Sequence, residues 1–252
     1  MSVLVVDIGN TRIKWARLAG EHLGRQRALE HADMGHKDYQ RRVLRGMKGL
    51  SRIIVASVAG ARVDRPFTAA ARSLGIVPEF VATARTAAGI TTRYTDPWRL
   101  GVDRFAAVIA AHHIAHSRGA CVINAGTALT IDLVDGEGVH QGGAIVPGPR
   151  LMAESLMRGT SGIQRRARGG AGGGTLFAHN TRTAVEQGAG FAAAAVVDRA
   201  VAEAQQILKR PPLVLLTGGA AEQLLPLLRT SYVSVPDLVL RGVALRVGLH
   251  VK

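Results

Sequence analysis

The sequence predicts an α/β fold made of two similar lobes, and three observations carry that prediction. A strand, tight turn, strand pattern near the N-terminus returns in the second half of the chain. Helix-length segments fall between and after these strands, an arrangement that argues for mixed α/β layers over separate blocks. Glycine is abundant, 30 of 252 residues, and its most informative positions are where strands end.

Taken in order, Val3 to Val6 is a short apolar run closed by Asp7-Ile8-Gly9-Asn10-Thr11. Ile13 and Trp15 then alternate with Arg12 and Lys14 up to a turn at Ala19-Gly20-Glu21, which reads as strand, tight turn, strand, hairpin turn. The same grammar reappears at Cys121 to Ile123, at the turn Asn124-Ala125-Gly126-Thr127, and in Leu129, Ile131 and Leu133 alternating with Thr130 and Asp132. A turn at Asp135 to Gly138 follows. Aligning Gly9 with Gly126 leaves the second alternation one residue out of phase. Helices are expected from Asp103 to Arg118, with Phe105, Val108, Ile109 and Ile114 apolar, and from about Thr183 to Lys209. Pro211-Pro212 breaks the chain before the apolar run Leu213 to Leu216, whose end at Thr217-Gly218-Gly219 leads into a helix-like stretch from Ala220 to Leu228. The repeat divides the chain into lobes at 1–118 and 119–252. The low-complexity stretch from Arg158 to Gly174 reads as a mobile, solvated loop in preference to an RNA contact.

Composition narrows the function. An apolar content of 47% supports a proper core, and Lys plus Arg exceed Asp plus Glu by 32 to 18, a net charge of +14 carried mostly by 27 arginines. That charge is scattered and aromatics are only 4%, so a stacking platform for single strands is not expected and nucleic acid is not the favoured partner. The N-terminus has no basic segment followed by a long apolar one, and the longest apolar runs, such as Phe191 to Val197, fall far short of the roughly 18 residues that span a bilayer. A cytoplasmic protein with no membrane partner is expected. The single cysteine, Cys121, excludes a disulfide framework and a multi-cysteine zinc site, and its apolar neighbours mark it as a small buried hydrophobe.

Several motifs reduce to bland readings. No G-x-x-x-x-G-K-[ST] loop occurs. Gly188-Ala189-Gly190 matches a loose dinucleotide pattern but lies within a helical stretch and follows no strand. His112 and His116 stand four apart on a predicted helix, with no third ligand and no Glu after the first His, and read as surface histidines.

Asp7 to Lys14 is different in kind. A carboxylate ending a buried strand, then glycine with amide and hydroxyl residues in a tight turn, supplies backbone N–H groups for phosphate oxygens and an acid for a hydrated cation. Lys14 adds a point positive charge. The echo at Asn124 to Thr130 and the turn at Thr217 to Gly219 complete the parts of a two-lobed ATP-binding cleft.

At these residues the sequence resembles the superfamily of acetate and sugar kinases, heat-shock ATPases and actin, and within it the type III pantothenate kinases. The matching segments are Asp7 to Thr11; Tyr94 leading to Leu100-Gly101-Val102-Asp103-Arg104; Gly126 to Thr130 with Asp132; Gly142 to Gly148; and Asn180-Thr181. The resemblance implies two lobes of ribonuclease-H-like, actin-like ATPase topology around an ATP cleft. It implies ATP-dependent phosphorylation of pantothenate to 4'-phosphopantothenate, the first step of coenzyme A biosynthesis, by a homodimer using Mg2+ and a monovalent cation, K+ or NH4+. Asp7, Ile8, Gly9, Asn10, Thr11, Arg12, Ile13 and Lys14 would bind ATP phosphates, with Asp7 near the magnesium shell and Thr127 touching the nucleotide. Tyr94, Gly101, Val102, Asp103 and Arg104 would hold pantothenate, Asp103 would accept its proton, and Thr181 would reach the substrate of a partner subunit. One departure stands out: the family usually carries an aspartate where this chain has Asn124, so dependence on the monovalent cation is expected to be weakened or altered. The alternatives are another small-molecule kinase or ATPase of the same fold, and a basic regulatory nucleic-acid-binding protein.

Overall fold

Apolar runs ended by glycine turns become hairpins. The computed structural model describes residues 2–167 and 174–251. In chain order its elements are β1 (Ser2–Ile8), β2 (Arg12–Ala19), β3 (His22–Leu23), β4 (Arg27–Glu30), α1 (His36–Arg42), β5 (Leu50–Ser57), α2 (Ala61–Arg72), β6 (Glu79–Phe80), β7 (Thr86–Ala87), β8 (Ile90–Thr92) and α3 (Val102–Ala115). They continue with β9 (Ala120–Ala125), β10 (Ala128–Val134), β11 (Val139–Pro147), α4 (Pro149–Gly159), α5 (Ser161–Arg166), α6 (Thr181–Leu208), β12 (Leu213–Thr217), α7 (Ala221–Leu224), β13 (Val233–Ser234) and α8 (Leu238–Arg246). The chain divides into two compact units: Met1–Ser117 with Val134–Gly142 and Asp237–Lys252, and Arg118–Leu133 with Gly143–Pro236. The lobe boundary read from the repeat therefore needs correcting. The chain leaves the first unit at Ser117 but returns to it twice, the second time because α8 packs on α3, β1 and β5.

In the first unit the strand order is β3-β2-β1-β5-β6, with β4 also pairing β2. β1 runs antiparallel to β2 and parallel to β5. Successive residues of a strand point to opposite faces. Leu4, Val6 and Ile8 accordingly join Tyr39, Ile53, Val55 and Phe67 in one core cluster, where the Tyr39 and Phe67 rings meet edge to face at 5.5 Å. Asp7 takes the other face. β7 and β8 form a hairpin, and Val139 and His140 at the start of β11 pair with Thr91 and Thr92 of β8.

The second unit repeats this plan, with the order β13-β12-β9-β10-β11. β9 forms a hairpin with β10 and runs parallel to β12, which runs parallel to β13, as β1 does with β2, β5 and β6. Cys121, Ile123 and Ala125 pack with Ala193 and Val197 of α6, the counterpart of Leu4, Val6 and Ile8. The one-residue phase slip has a geometric cause. Gly9 N–H donates to the carbonyl of Arg12 across two residues, whereas Gly126 N–H donates to that of Ala128 across one.

Arg158 to Arg166 is not a loop. These residues finish α4 and form α5, because Met152, Met157 and Ile163 pack against Val185 and Ala189 of α6. The remainder of that expectation, from Arg168 to Gly173, lies outside the described residues. Many arginines are spent on exposed ion pairs one helical turn apart, among them Arg158 with Glu154, Arg182 with Glu186 and Arg199 with Glu203. Gly188 and Gly190 sit inside α6. His116 ends α3 with a φ of 50°, so it does not share a helical face with His112.

Candidate active site

Four elements of the first unit place the residues singled out between Asp7 and Arg104. Asp7 lies directly opposite Lys14 in the β1–β2 register, so both side chains share the face of the sheet against which α3 and α8 pack. Asp7 is only 5% exposed, and Lys14 Nζ approaches its Oδ2 at 3.9 Å. Burial pushes the Asp7 carboxyl up to about 6; Lys14 counteracts this in part, and the negative charge of Asp103 adds to it. Desolvation thus outweighs the local cation. A carboxylate in that condition favours an incoming positive charge.

The turn itself runs from Gly9, through exposed Asn10 and half-buried Thr11, to exposed Arg12, with Ile8 and Ile13 anchored in the core on either side. Gly9 N–H donates to Arg12 O at 3.0 Å. His31, which sequence reading missed, lies beside it and bonds Gly9 O through Nε2 at 2.7 Å.

Asp103 stands in the first turn of α3. Gly101 occupies the capping position, and no side-chain hydrogen bond caps the helix. A Cβ on Gly101 would lie 2.6 Å from Asp103 Oδ1, so glycine there makes room for the carboxylate. Arg104 follows, 4% exposed, and donates from Nη1 to Tyr94 Oη at 3.0 Å, its guanidinium 5.8 Å from the Tyr94 ring centre. The other side of this assembly was not legible beforehand. His140 stacks on Tyr94 at 5.8 Å and shares a hydrogen bond with Thr92 Oγ1 at 3.1 Å. Arg85 donates to the carbonyls of Thr92, Tyr94 and Thr95, fixing the segment that presents Tyr94. Tyr94, Asp103, Arg104 and Asp7 are thus brought together within one unit, and Val102 forms the first residue of α3.

The remaining predicted residues belong to the second unit. Asn124 pairs with Thr217 at the ends of β9 and β12, and Thr127 is the exposed residue of the β9–β10 turn. Glycines let neighbouring backbones close on this turn. Gly148 N–H donates to Thr127 O at 2.9 Å, and a Cβ on Gly148 would lie 2.5 Å from Gly126 O. Gly218, with φ +103°, leaves only 2.2 Å between such a Cβ and Ala125 O. The motifs at Gly126, Gly148 and Thr217-Gly218 therefore converge. Thr181 is elsewhere, the first residue of α6, whose cap is Asn180 accepting from Thr183 N–H at 2.9 Å.

Comparison with known proteins gives the family. The family model described as type III pantothenate kinase matches residues 3–203. A type III pantothenate kinase of Azoarcus sp. (strain BH72) is 37% identical over 244 residues, covering 96% of this chain and 89% of the relative. Another, from Nitrosococcus oceani, is 34% identical over 247 residues, covering 96% and 92%. Among solved structures, a ROK family glucokinase from Streptomyces griseus in complex with glucose and AMPPNP aligns with a TM-score of 0.53 at 12% identity, covering 97% of this chain and 98% of that one. At that identity the likeness shows the fold alone, that of the actin-like ATPases. With a family model over most of its length and relatives above 30% identity along nearly all of it, this chain belongs to the type III pantothenate kinases.

Proposed function

We propose that, in the ATP-dependent phosphorylation of pantothenate that family membership gives this chain, Asp103 accepts the proton of the substrate hydroxyl and the Asp7–Lys14 hairpin holds the ATP phosphates. The observation that supports this reading is that the negative charge of Asp103 acts on the buried Asp7 carboxyl at the base of the turn, as it would if both residues faced one site. Phosphoryl transfer asks the protein mainly for positioning and charge neutralisation. Asp103 would orient the hydroxyl and take its proton as bonding to phosphorus advances. Lys14 would neutralise phosphate charge, and the Gly9 to Arg12 turn would offer backbone N–H groups to phosphate oxygens. Tyr94, Gly101, Val102 and Arg104 would bind pantothenate, the buried guanidinium meeting its anionic or polar groups.

The residues fit a magnesium ion, since Asp7 is a desolvated carboxylate whose charge Lys14 only partly offsets. Asp7 would stand near its hydration shell, and the ion would supply charge neutralisation at the β- and γ-phosphates. Thr127 would contact the nucleotide. Asn124 would occupy the monovalent cation position with an amide oxygen in place of a carboxylate, loosening the hold on K+ or NH4+. We further read the chain as a cytoplasmic homodimer in which Thr181 reaches a partner's substrate; among the described residues no helix is long and apolar enough to cross a membrane.

The test is ADP release from Mg-ATP with and without pantothenate, beside Asp103→Asn. Pantothenate-dependent turnover that drops roughly 100- to 10,000-fold in the variant is the expected result. Turnover that survives the substitution would remove Asp103 from the proton-transfer role.

A further inference from the structure

We propose that His31 is a positioning residue for the phosphate turn, holding the turn's carbonyls away from the phosphates so that its amides face them. The inference rests on the reading that this turn binds ATP phosphates. It starts from register. Arg12 pairs with Glu30 where β4 lies against β2, so the next residue, His31, falls opposite Thr11 in the turn. His31 N–H indeed donates to Thr11 O at 3.2 Å. Its ring reaches across to Gly9 O, 2.7 Å from Nε2. A carbonyl oxygen only accepts, so Nε2 carries the proton in this contact. One residue, 5% exposed, therefore occupies carbonyls on both limbs of the turn.

These two bonds matter because the turn has little packing beneath it. Asn10, Thr11 and His31 line a cavity of about 400 Å³ that extends past Met34 and Tyr39 to Arg62 and Val63. Its rim carries an exposed ion pair, Arg62 with Asp33 at 2.8 Å. A turn overhanging open space can rotate its peptide groups. A carbonyl turned toward the phosphates would repel them and withdraw an N–H from the cradle. Neither Asp7 nor Lys14 prevents that rotation, since both act through side chains on the flanking strands.

Steady-state kinetics of His31→Ala, His31→Gln, His31→Asn and Lys14→Ala test the idea, with thermal unfolding measured on each. In His31→Ala, KM for ATP should rise roughly tenfold, the loss of about one hydrogen bond, while KM for pantothenate stays unchanged. His31→Gln keeps an N–H donor of similar reach and should recover most of the affinity; the shorter His31→Asn should not. If His31→Ala does not fold, the Gln and Asn variants carry the test by the same contrast. An unchanged KM for ATP in His31→Ala, or equal behaviour of Gln and Asn, overturns the inference if Lys14→Ala raises that KM. If Lys14→Ala leaves it unchanged too, the phosphate role of the turn fails and the inference falls with it.

Discussion

The β1–β2 turn and the β9–β10 turn are the same device executed in two ways. In the first, Asp7 and Lys14 bring charge to the base of the turn, and His31 ties its carbonyls. In the second, the residue equivalent to Asp7 is neutral Asn124, and the turn is held by backbone: Gly148 and Gly218 come so close that neither has room for a side chain. A duplicated strand and turn plan thus leaves one copy stabilised by packing and the other burdened with desolvated charge. The burdened copy is the one to which we have assigned the ATP phosphates and the magnesium shell.

The widest gap between the two turns should appear on adding a methyl group to each. Gly218→Ala places a Cβ against the Ala125 backbone at φ +103°, and strain plus overpacking should cost about 4 kcal/mol in denaturant unfolding. At Gly9→Ala the nearest atom, Arg12 O, lies 3.4 Å away, and the cost should stay within about 1 kcal/mol. Equal costs would end the contrast.

Next in size is the charge burden itself. Asp7 sits at about 6 in the fold against an ordinary 3.8, so folding favours its protonated form. The stability it contributes is fully present below pH 3.8 and is lost as pH rises through about 6, a swing of about 3 kcal/mol. Without nucleotide, Asp7→Asn should therefore be more stable than the parent by up to about 3 kcal/mol at pH 8, with the advantage vanishing near pH 3. Parallel stability profiles for the two proteins would show that the buried carboxylate carries no such burden.

The reciprocal exchange should do less. Asn124→Asp restores a negative charge to the second turn, and potassium stimulation of turnover should steepen about threefold or more; a flat response would mean that this position does not govern the cation. Smallest is Cys121, whose thiol burial pushes up to about 12, with Asp132 adding to the shift. It should react with a thiol reagent only on unfolding, and fast labelling of the native protein would contradict its place in the core.

Much of this plan could be read from residue order, and the omissions have physical causes. Apolar runs closed by glycine turns made β1, β9 and β12 visible, and alternation made β2 and β10 so. β5 was not singled out, because its plain run, Ile53 to Ala56, is that of a parallel strand covered on both faces and no glycine turn follows it directly, Ser57, Val58 and Ala59 standing before Gly60. His31 escaped notice since its role depends on β4, four residues long, whose pairing no local pattern announces. Around Arg158, attention to arginine and glycine hid the apolar spacing of Met152, Met157 and Ile163. Asp103 and Tyr94 were legible only through family likeness; the stack of Tyr94 on His140 joins positions 46 residues apart and leaves no trace in spacing.

The return of α8 to the first unit has a consequence for how the protein is made. Gly242 lies so close to Ala106 that a Cβ there would stand 1.7 Å from its carbonyl oxygen, a fit that seals α3 against the last helix. On the ribosome, residues 2–117 emerge long before that helix exists, and the whole second unit is synthesised in between. The helix bearing Asp103 therefore waits, one flank uncovered, until residues 238–246 arrive. A nascent chain halted after Pro236 would expose the Ala106 face to solvent and to chaperones, so the second unit can mature while the first is still unfinished.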